Sequence, residues 1–330
     1  MAGSIHIGTS FYLNVGQKDL AVRNAYLDQT RRASDAVRTS GRKFFVELKN
    51  INLVTEDRME ELRPLADMFT MHLQYLNKKG EAGVTLNLVN MEDRKALQED
   101  EAVTRAFGLM DPKLISVHCG FSAEEIGVAP PDGHNYALSP VLSRGEILSR
   151  IGGTVNLAAL MFERMGYKGP ILVENLDYRP AQEGLGTGGA YEHVCDPTFI
   201  SQVLADNWRA GMLLDIAHSV ISGHNSTPKF SALGFAKEMV ATGKLWQLHC
   251  NAPKWESGEA RDMHLPFYRD KEVVSMLDNI LALNHEKGTE RQPLFVTIEP
   301  SFGLMSPEYP SELEGPVLAP VKRLIEIAGR

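Results

Sequence analysis

Imidazoles and carboxylates recur along this chain at the ends of short apolar runs. His72 closes "MFTMH", His118 closes "LISVH", Glu174 closes "PILVE", Asp215 closes "GMLLD", His249 closes "LWQLH" and Glu299 closes "LFVTIE". His218 follows Asp215 in the pattern D-x-x-H, and Asp262 and His264 form D-x-H within "RDMHLP". Each has a plain role on its own: a strand-end histidine hydrogen-bonded in the core, Asp215 capping a helix, Glu299 closing a strand. Together they are harder to explain that way. A carboxylate set directly after a buried apolar run is costly to desolvate unless it is paired or metal-bound. Several imidazoles and carboxylates converging on one cavity suit Zn²⁺, Mn²⁺ or Fe²⁺. Zinc takes about four protein ligands in a closed site and about three in a catalytic one. Nine residues therefore fit two or three ions, some bridged by carboxylates.

The elements that must position these side chains follow from the apolar pattern. Runs rich in β-branched residues read as strands at 4–10, 43–49, 68–75, 113–120, 170–176, 211–217, 245–251 and 294–300. Amphipathic helical stretches lie between them, at 18–39, 55–66, 92–108, 143–165, 197–208, 230–241, 270–286 and 316–328. In the first, Leu20, Tyr26, Leu27, Ala33 and Val37 recur at helical spacing. Start signals include Thr55 with Asp57, and Asp196 followed by Pro197. Strands alternating with helices imply a parallel sheet, and eight such units imply an α/β fold, a (β/α)8 TIM barrel, as a single domain over 1–330. Active sites of such barrels form at the C-terminal strand ends, where these residues fall. An open doubly wound sheet is the competing architecture, but no strand–GxGxxG–helix fingerprint starts the chain. The glycines of "GLGTGGA" (184–190) have no strand just before them and read as a loop. Residues 121–142, rich in Pro and Gly, read as an insertion after the fourth strand.

The chain has 330 residues, 43% hydrophobic and 23% charged, enough for a large buried core. A net charge of −8 argues against broad electrostatic attraction to nucleic acid. The three cysteines form no CxxC pattern, which points to a reducing, cytoplasmic setting. The N-terminal "MAGSIHIGTSF" does not read as a signal peptide, and no run of 18 apolar residues offers a membrane span.

The ordered set His72, His118, Glu174, Asp215-x-x-His218, His249, Asp262-x-His264, Glu299 resembles the ligand set of the endonuclease IV group (AP endonuclease family 2). These are trinuclear-zinc abasic-site endonucleases of the xylose-isomerase-like TIM barrel superfamily. "MHLQYLN", "ISVHCG", "ILVEN", "LLDIAHSVISGHN", "LHCNAPKW", "RDMH" and "TIEP" look like its motifs in family order, over about residues 44–300. The resemblance implies that His72 and His118 hold one ion, that Asp215, His249 and Glu299 hold a second with Glu174 bridging, and that His218, Asp262 and His264 hold a third. It implies a metal-bridging hydroxide as nucleophile, and it places Tyr75 where a family residue approaches DNA. The pattern departs at Met263, where the family carries arginine, and at Ile51, Asn52 and Leu53, where it carries basic and aromatic DNA-probing residues. Asn50, beside Lys49 at the second strand end, is a candidate rim residue. His224 and Lys254, the latter beside Trp255, are candidates for substrate contact. Cys119 and Cys250 each follow a proposed ligand, so their side chains point away from the cavity and pack.

The expected function is thus metal-dependent phosphoester hydrolysis with two or three zinc ions, Mn or Fe being the alternatives. Glu174 and Glu299 are the candidate catalytic carboxylates, and the substrate is a small phosphoester, a sugar or a nucleic acid. A sugar isomerase or epimerase of the same superfamily would use one metal on Glu174, Asp215, His249 and Glu299, with the two glutamates transferring protons. The sequence is also similar to multinuclear non-haem iron oxidative enzymes that modify cysteines in peptides, which usually carry Asn where this chain has His218 and which imply a partner protein. A non-enzymatic barrel with a polar rim is the fourth reading.

Overall fold

Eight short runs of β-branched, aromatic and aliphatic residues form parallel strands that close on themselves. They are β1 (Ile5–Tyr12), β2 (Phe44–Lys49), β3 (Met68–Leu73), β4 (Ile115–His118), β5 (Ile171–Glu174), β6 (Ala210–Asp215), β7 (Leu245–Cys250) and β8 (Leu294–Ile298). Each strand pairs with its sequence neighbours, and β8 pairs with β1. Ten α-helices are described, namely α1 (Leu20–Thr39), α2 (Glu56–Leu62), α3 (Met91–Glu99), α4 (Glu101–Met110), α5 (Arg144–Arg164), α6 (Pro197–Asp206), α7 (Ile216–Asn225), α8 (Ala232–Thr242), α9 (Lys271–Glu286) and α10 (Gly315–Ala328). The structure, a computed structural model, describes residues 4–14, 20–78, 81–129, 134–178, 189–226, 228–256, 259–286, 292–300 and 315–329. The fold is the expected (β/α)8 TIM barrel.

Successive strand residues face opposite ways, and this divides the apolar residues into two cores. Phe44, Val46 and Leu48 of β2 face outward into the large core between barrel and helices. Phe45 faces inward and joins Leu114, Leu172, Leu213 and Phe295 in a small cluster that plugs the barrel. Glu47 and Lys49 continue the inward-facing series of β2, so the interior turns polar toward the C-terminal end.

Several elements differ from the sequence reading. The helix expected over 92–108 is two helices, because the Asp100 carboxylate leaves the helix to accept the Ala102 and Val103 N–H groups (2.8 and 3.4 Å). Capping a new helix there outweighs continuity of the old one. Its other oxygen accepts the Asn77 N–H at 2.8 Å. The third strand stops at Leu73, short of residue 75, and a hairpin follows (Tyr75–Lys78 with Glu81–Thr85). The insertion at 121–142 carries a hairpin too, Ile126–Ala129 with His134–Ala137. The sixth strand ends at Asp215 and α7 begins at once. Residues 216–223 of that helix are all buried, so it lacks the amphipathic period by which a surface helix is read. Residues 184–188 of the glycine-rich loop lie outside the described residues. Among the described residues, no helix is long and apolar enough to cross a membrane.

Gly8 shows how closely β1 and β2 pack. A Cβ there would lie 2.4 Å from the Phe45 carbonyl oxygen and 2.7 Å from its ring. The nearest obstacle is backbone in a register-fixed strand pair, Gly8 opposite Phe45. Gly8→Ala is expected to lower the stability by about 1–3 kcal/mol through overpacking. Chemical denaturation checks this, and an unchanged midpoint would show that β1 and β2 can separate without cost.

Candidate metal centre

Strand register brings the proposed ligands side by side. His118 lies opposite Glu174 across β4 and β5, and Asp215 lies opposite His249 across β6 and β7. Glu299 directly follows β8. His218 sits in the first turn of α7, where its backbone N–H donates to Asp215 Oδ1 at 2.7 Å. Asp215 therefore does cap a helix, but with one oxygen only. Its Oδ2 faces the site, 3.9 Å from His249 Nδ1 and 3.3 Å from Asn251 Nδ2.

Glu174 lies at the centre with its two oxygens turned to different partners. Oε2 is 3.5 Å from His72 Nε2 and 3.7 Å from His118 Nε2. Oε1 is 3.3 Å from His249 Nδ1 and 3.6 Å from His218 Nδ1. Glu299 Oε2 is also 3.3 Å from His249 Nδ1. Tetrahedral bonds of roughly 2.1 Å put neighbouring ligand atoms about 3.4 Å apart, so these spacings suit metal ligation. Among the described residues, three sets have ligand atoms mutually within 4.8 Å: His72, His118 and Glu174; Glu174, Asp215 and His249; and Glu47, His249 and Glu299.

His218, Asp262 and His264 are brought together more loosely. Both Nε2 atoms approach Asp262 Oδ2, at 3.4 Å from His218 and 2.9 Å from His264, but the three do not form a set of the tightness above. His264 takes a left-handed backbone (φ 48°), which in a residue other than glycine costs roughly 1–3 kcal/mol. Asp262 and His264 stand on one strand of a third hairpin, Ala252–Glu256 with Glu259–Leu265.

Ring nitrogens and charge test whether a metal fits. His72 Nδ1 is bonded to Ser116 Oγ at 2.8 Å, and His218 Nδ1 donates to the Asn175 carbonyl at 2.8 Å. His249 Nε2 lies 3.0 Å from Glu47 Oε2. In this way each ring is held by one nitrogen and offers the other. Among the described residues, His72 Nε2, His249 Nδ1 and Glu174 Oε2 are buried without any hydrogen-bond partner. Such orphaned polar atoms are expensive unless something else satisfies them. Burial, with the Lys49 charge, pushes His72 down to about 3, which leaves a neutral imidazole. Burial pulls His118 the same way. Burial also opposes a charge on His249, but Glu299, Glu47 and Glu174 outweigh it and hold this ring well above its ordinary value. The same field attracts a divalent cation. The residues present therefore fit divalent metal, with Glu174 common to two of the candidate sets.

The sequence reading did not single out Glu47, Gln247 or Asn251. Glu47 is fully buried and accepts from Ser10 Oγ and Gln247 Nε2, both at 2.7 Å. Asn251 Nδ2 donates to Glu299 Oε2 at 3.0 Å. The available signal was period two: Glu47 precedes Lys49 by two on β2, and Asn251 follows His249 by two. Lys49 is buried and ion-paired with Glu299, with its ammonium 5.3 Å from the Tyr12 ring centroid. Burial works against its charge, but Glu299, Tyr12 and Glu47 hold its pKa well above the usual lysine value.

Above these candidate ligands opens a cavity of about 440 Å³, walled by Tyr12, Tyr75, Phe121 and Tyr191 and reached by Lys49 and Asn135. Tyr75 thus lines the site. Asn50, His224 and Lys254 are not among its lining residues. Asn50 takes a left-handed turn before a short 3-10 helix, and the His224 ring stands edge-on to Trp255, with centroids 4.9 Å apart. Lys254 is exposed on the third hairpin. Cys119 and Cys250 pack in the outer core.

No family model matches the chain, and no curated protein matches it. Solved structures do. A sugar phosphate isomerase/epimerase from Parabacteroides distasonis is similar with a TM-score of 0.55 at 12% identity, covering 98% of each chain. The 3-keto-D-glucoside 4-epimerase of E. coli gives 0.53 at 11%, covering 99% of this chain and 100% of that one. An AP endonuclease, family 2, from Brucella melitensis gives a looser 0.48 at 12%, covering 90% of this chain and 92% of that one. Identity this low speaks for architecture alone: the fold is a (β/α)8 TIM barrel.

Proposed function

We propose that this protein is a metal-dependent enzyme whose multinuclear centre hydrolyses a phosphoester on a small substrate. The observation that carries this reading is the division of Glu174, whose Oε2 faces His72 Nε2 and His118 Nε2 while Oε1 faces His249 Nδ1. That is the disposition of a carboxylate bridging two ions. Divalent ions held there would polarise phosphate oxygens and lower the pKa of water toward neutrality. The chain's own residues do the rest. Glu174 and Glu299 set the charge at the reacting centre, and Asn251 with Lys49 fixes the orientation of Glu299. Tyr12, Tyr75, Phe121 and Tyr191 wall a space of about 440 Å³, the size of a single small ligand. That volume, with the net charge of −8, favours a small phosphoester over duplex DNA.

A second reading is a sugar isomerase or epimerase. It is favoured by the likeness to sugar epimerases and by the 3.3 Å approach of both Glu174 and Glu299 to His249 Nδ1, which brackets one ion between two potential proton-transfer groups.

Protein purified without chelator is expected to carry about two or three zinc ions per chain and to cleave bis(p-nitrophenyl) phosphate. About one manganese or cobalt ion, no cleavage and epimerisation of a sugar would replace this reading with the second. Two or three iron ions with visible absorbance and no cleavage would point to oxidative chemistry instead. Cleavage of an abasic duplex but of no small diester would overturn the choice of substrate.

The bridge itself is tested by metal content. Glu174→Gln is expected to release about two ions per chain, whereas His72→Ala releases about one. Elemental analysis of the two variants checks this, and equal losses would remove the bridging role of Glu174.

A further inference from the structure

We propose that Glu47 is a positioning residue that makes His249 present Nδ1, and not Nε2, to the metal. The inference rests on the reading of this site as a metal centre, and it is independent of which reaction the centre performs.

A neutral imidazole has one N–H and one lone pair, and a carboxylate can only accept. His249 Nε2 lies 3.1 Å from Glu47 Oε1 and 3.0 Å from Oε2, so when a cation displaces one ring proton the remaining one belongs on Nε2 and the lone pair on Nδ1. Nδ1 is the atom turned to Glu174, Glu299 and Asp215, and it has no hydrogen-bond partner among the described residues. Glu47 is itself fixed from the far side. Ser10, its register neighbour on β1, donates to Oε2, and Gln247 donates to Oε1, both at 2.7 Å. Gln247 is anchored in turn on Thr297 Oγ1 at 2.8 Å. Glu47 is fully buried and does not line the cavity.

Glu47, His249 and Glu299 are also close enough to hold an ion directly. That arrangement would require Glu47 to give up its bond from His249 and would turn the ring proton toward Glu174 and Glu299, where the cation is needed. Three donors on Glu47 favour the other arrangement, in which the carboxylate raises the basicity of the ligating nitrogen from behind.

The test uses full-length protein labelled with ¹⁵N-histidine and loaded with ¹¹³Cd²⁺. The expected spectrum shows cadmium coupling to His249 Nδ1 and a proton on Nε2. Coupling to Nε2 would overturn the proposal while leaving the metal centre intact. Failure to bind cadmium at all would overturn both. As a second measurement, Glu47→Gln keeps the shape but loses the charge. Chelator competition should show affinity for the ion at His249 falling about 10- to 100-fold, with the ion at His72 and His118 unchanged. Unchanged affinity at His249 in the folded variant would overturn the positioning role.

Discussion

Four carboxylates, Glu47, Glu174, Asp215 and Glu299, stand nearly without solvent at one end of a single barrel. Burying like charges together is unfavourable without compensating positive charge. One lysine, Lys49, supplies part of it. The histidines divide over the rest. His249, His218 and His264 lie where carboxylates hold them above their ordinary pKa, despite burial. His72 and His118 lie where burial dominates and keeps them neutral. One half of the site therefore offers free lone pairs, and the other holds protons that a divalent cation would displace. Metal affinity in such a site is coupled to proton release.

The same side chains that build the site also hold the fold. Asp215 caps α7 with one oxygen and faces the centre with the other. Asn175 accepts the Asp215 N–H and donates to the Asp215 carbonyl, which ties β5 to the start of α7. Its own carbonyl holds the His218 ring. Below, the apolar plug of Phe45, Leu114, Leu172, Leu213 and Phe295 closes the barrel, so the polar layer opens only toward the hairpins. Register, plug and caps thus fix ligand positions through regular structure more than through loops. The third hairpin is the exception, and it carries the looser pair Asp262 and His264.

The barrel, and the candidate residues at its strand ends, were legible in the sequence because they follow from one pattern: an apolar strand that ends in an acid or an imidazole. The failures have separate physical causes. α7 is buried along most of its length and so shows no amphipathic period. Asp100 ends one helix by capping the next. The hairpins after β3 and β4 are short, and their turn signals look like those of loops. Glu47 escaped because it lies in mid-strand, where a lone acid among Phe45, Val46 and Leu48 reads as an exception. Period two places it on the face that carries Lys49, but only the closed barrel reveals that this face is the one turned to the site. Its partner His249 is distant in sequence, and no local pattern announces such a pair.

What separates a two-ion centre from a one-metal centre here is the second oxygen of Glu174. A single ion among Glu174 Oε1, Asp215, His249 and Glu299 leaves Oε2 and His72 Nε2 facing each other at 3.5 Å, both buried and both without a hydrogen bond. Each such atom costs about 1–3 kcal/mol. The neutral tautomer with its proton on Nε2 would point that proton at Oε2, but at 3.5 Å the pair makes no hydrogen bond, and burial with the nearby Lys49 charge opposes a second proton. An ion between them satisfies both atoms and the lone pair of His118 at once. The one-metal reading gives His72 no task and leaves this cost standing, and for that reason the two-ion centre is the reading to prefer.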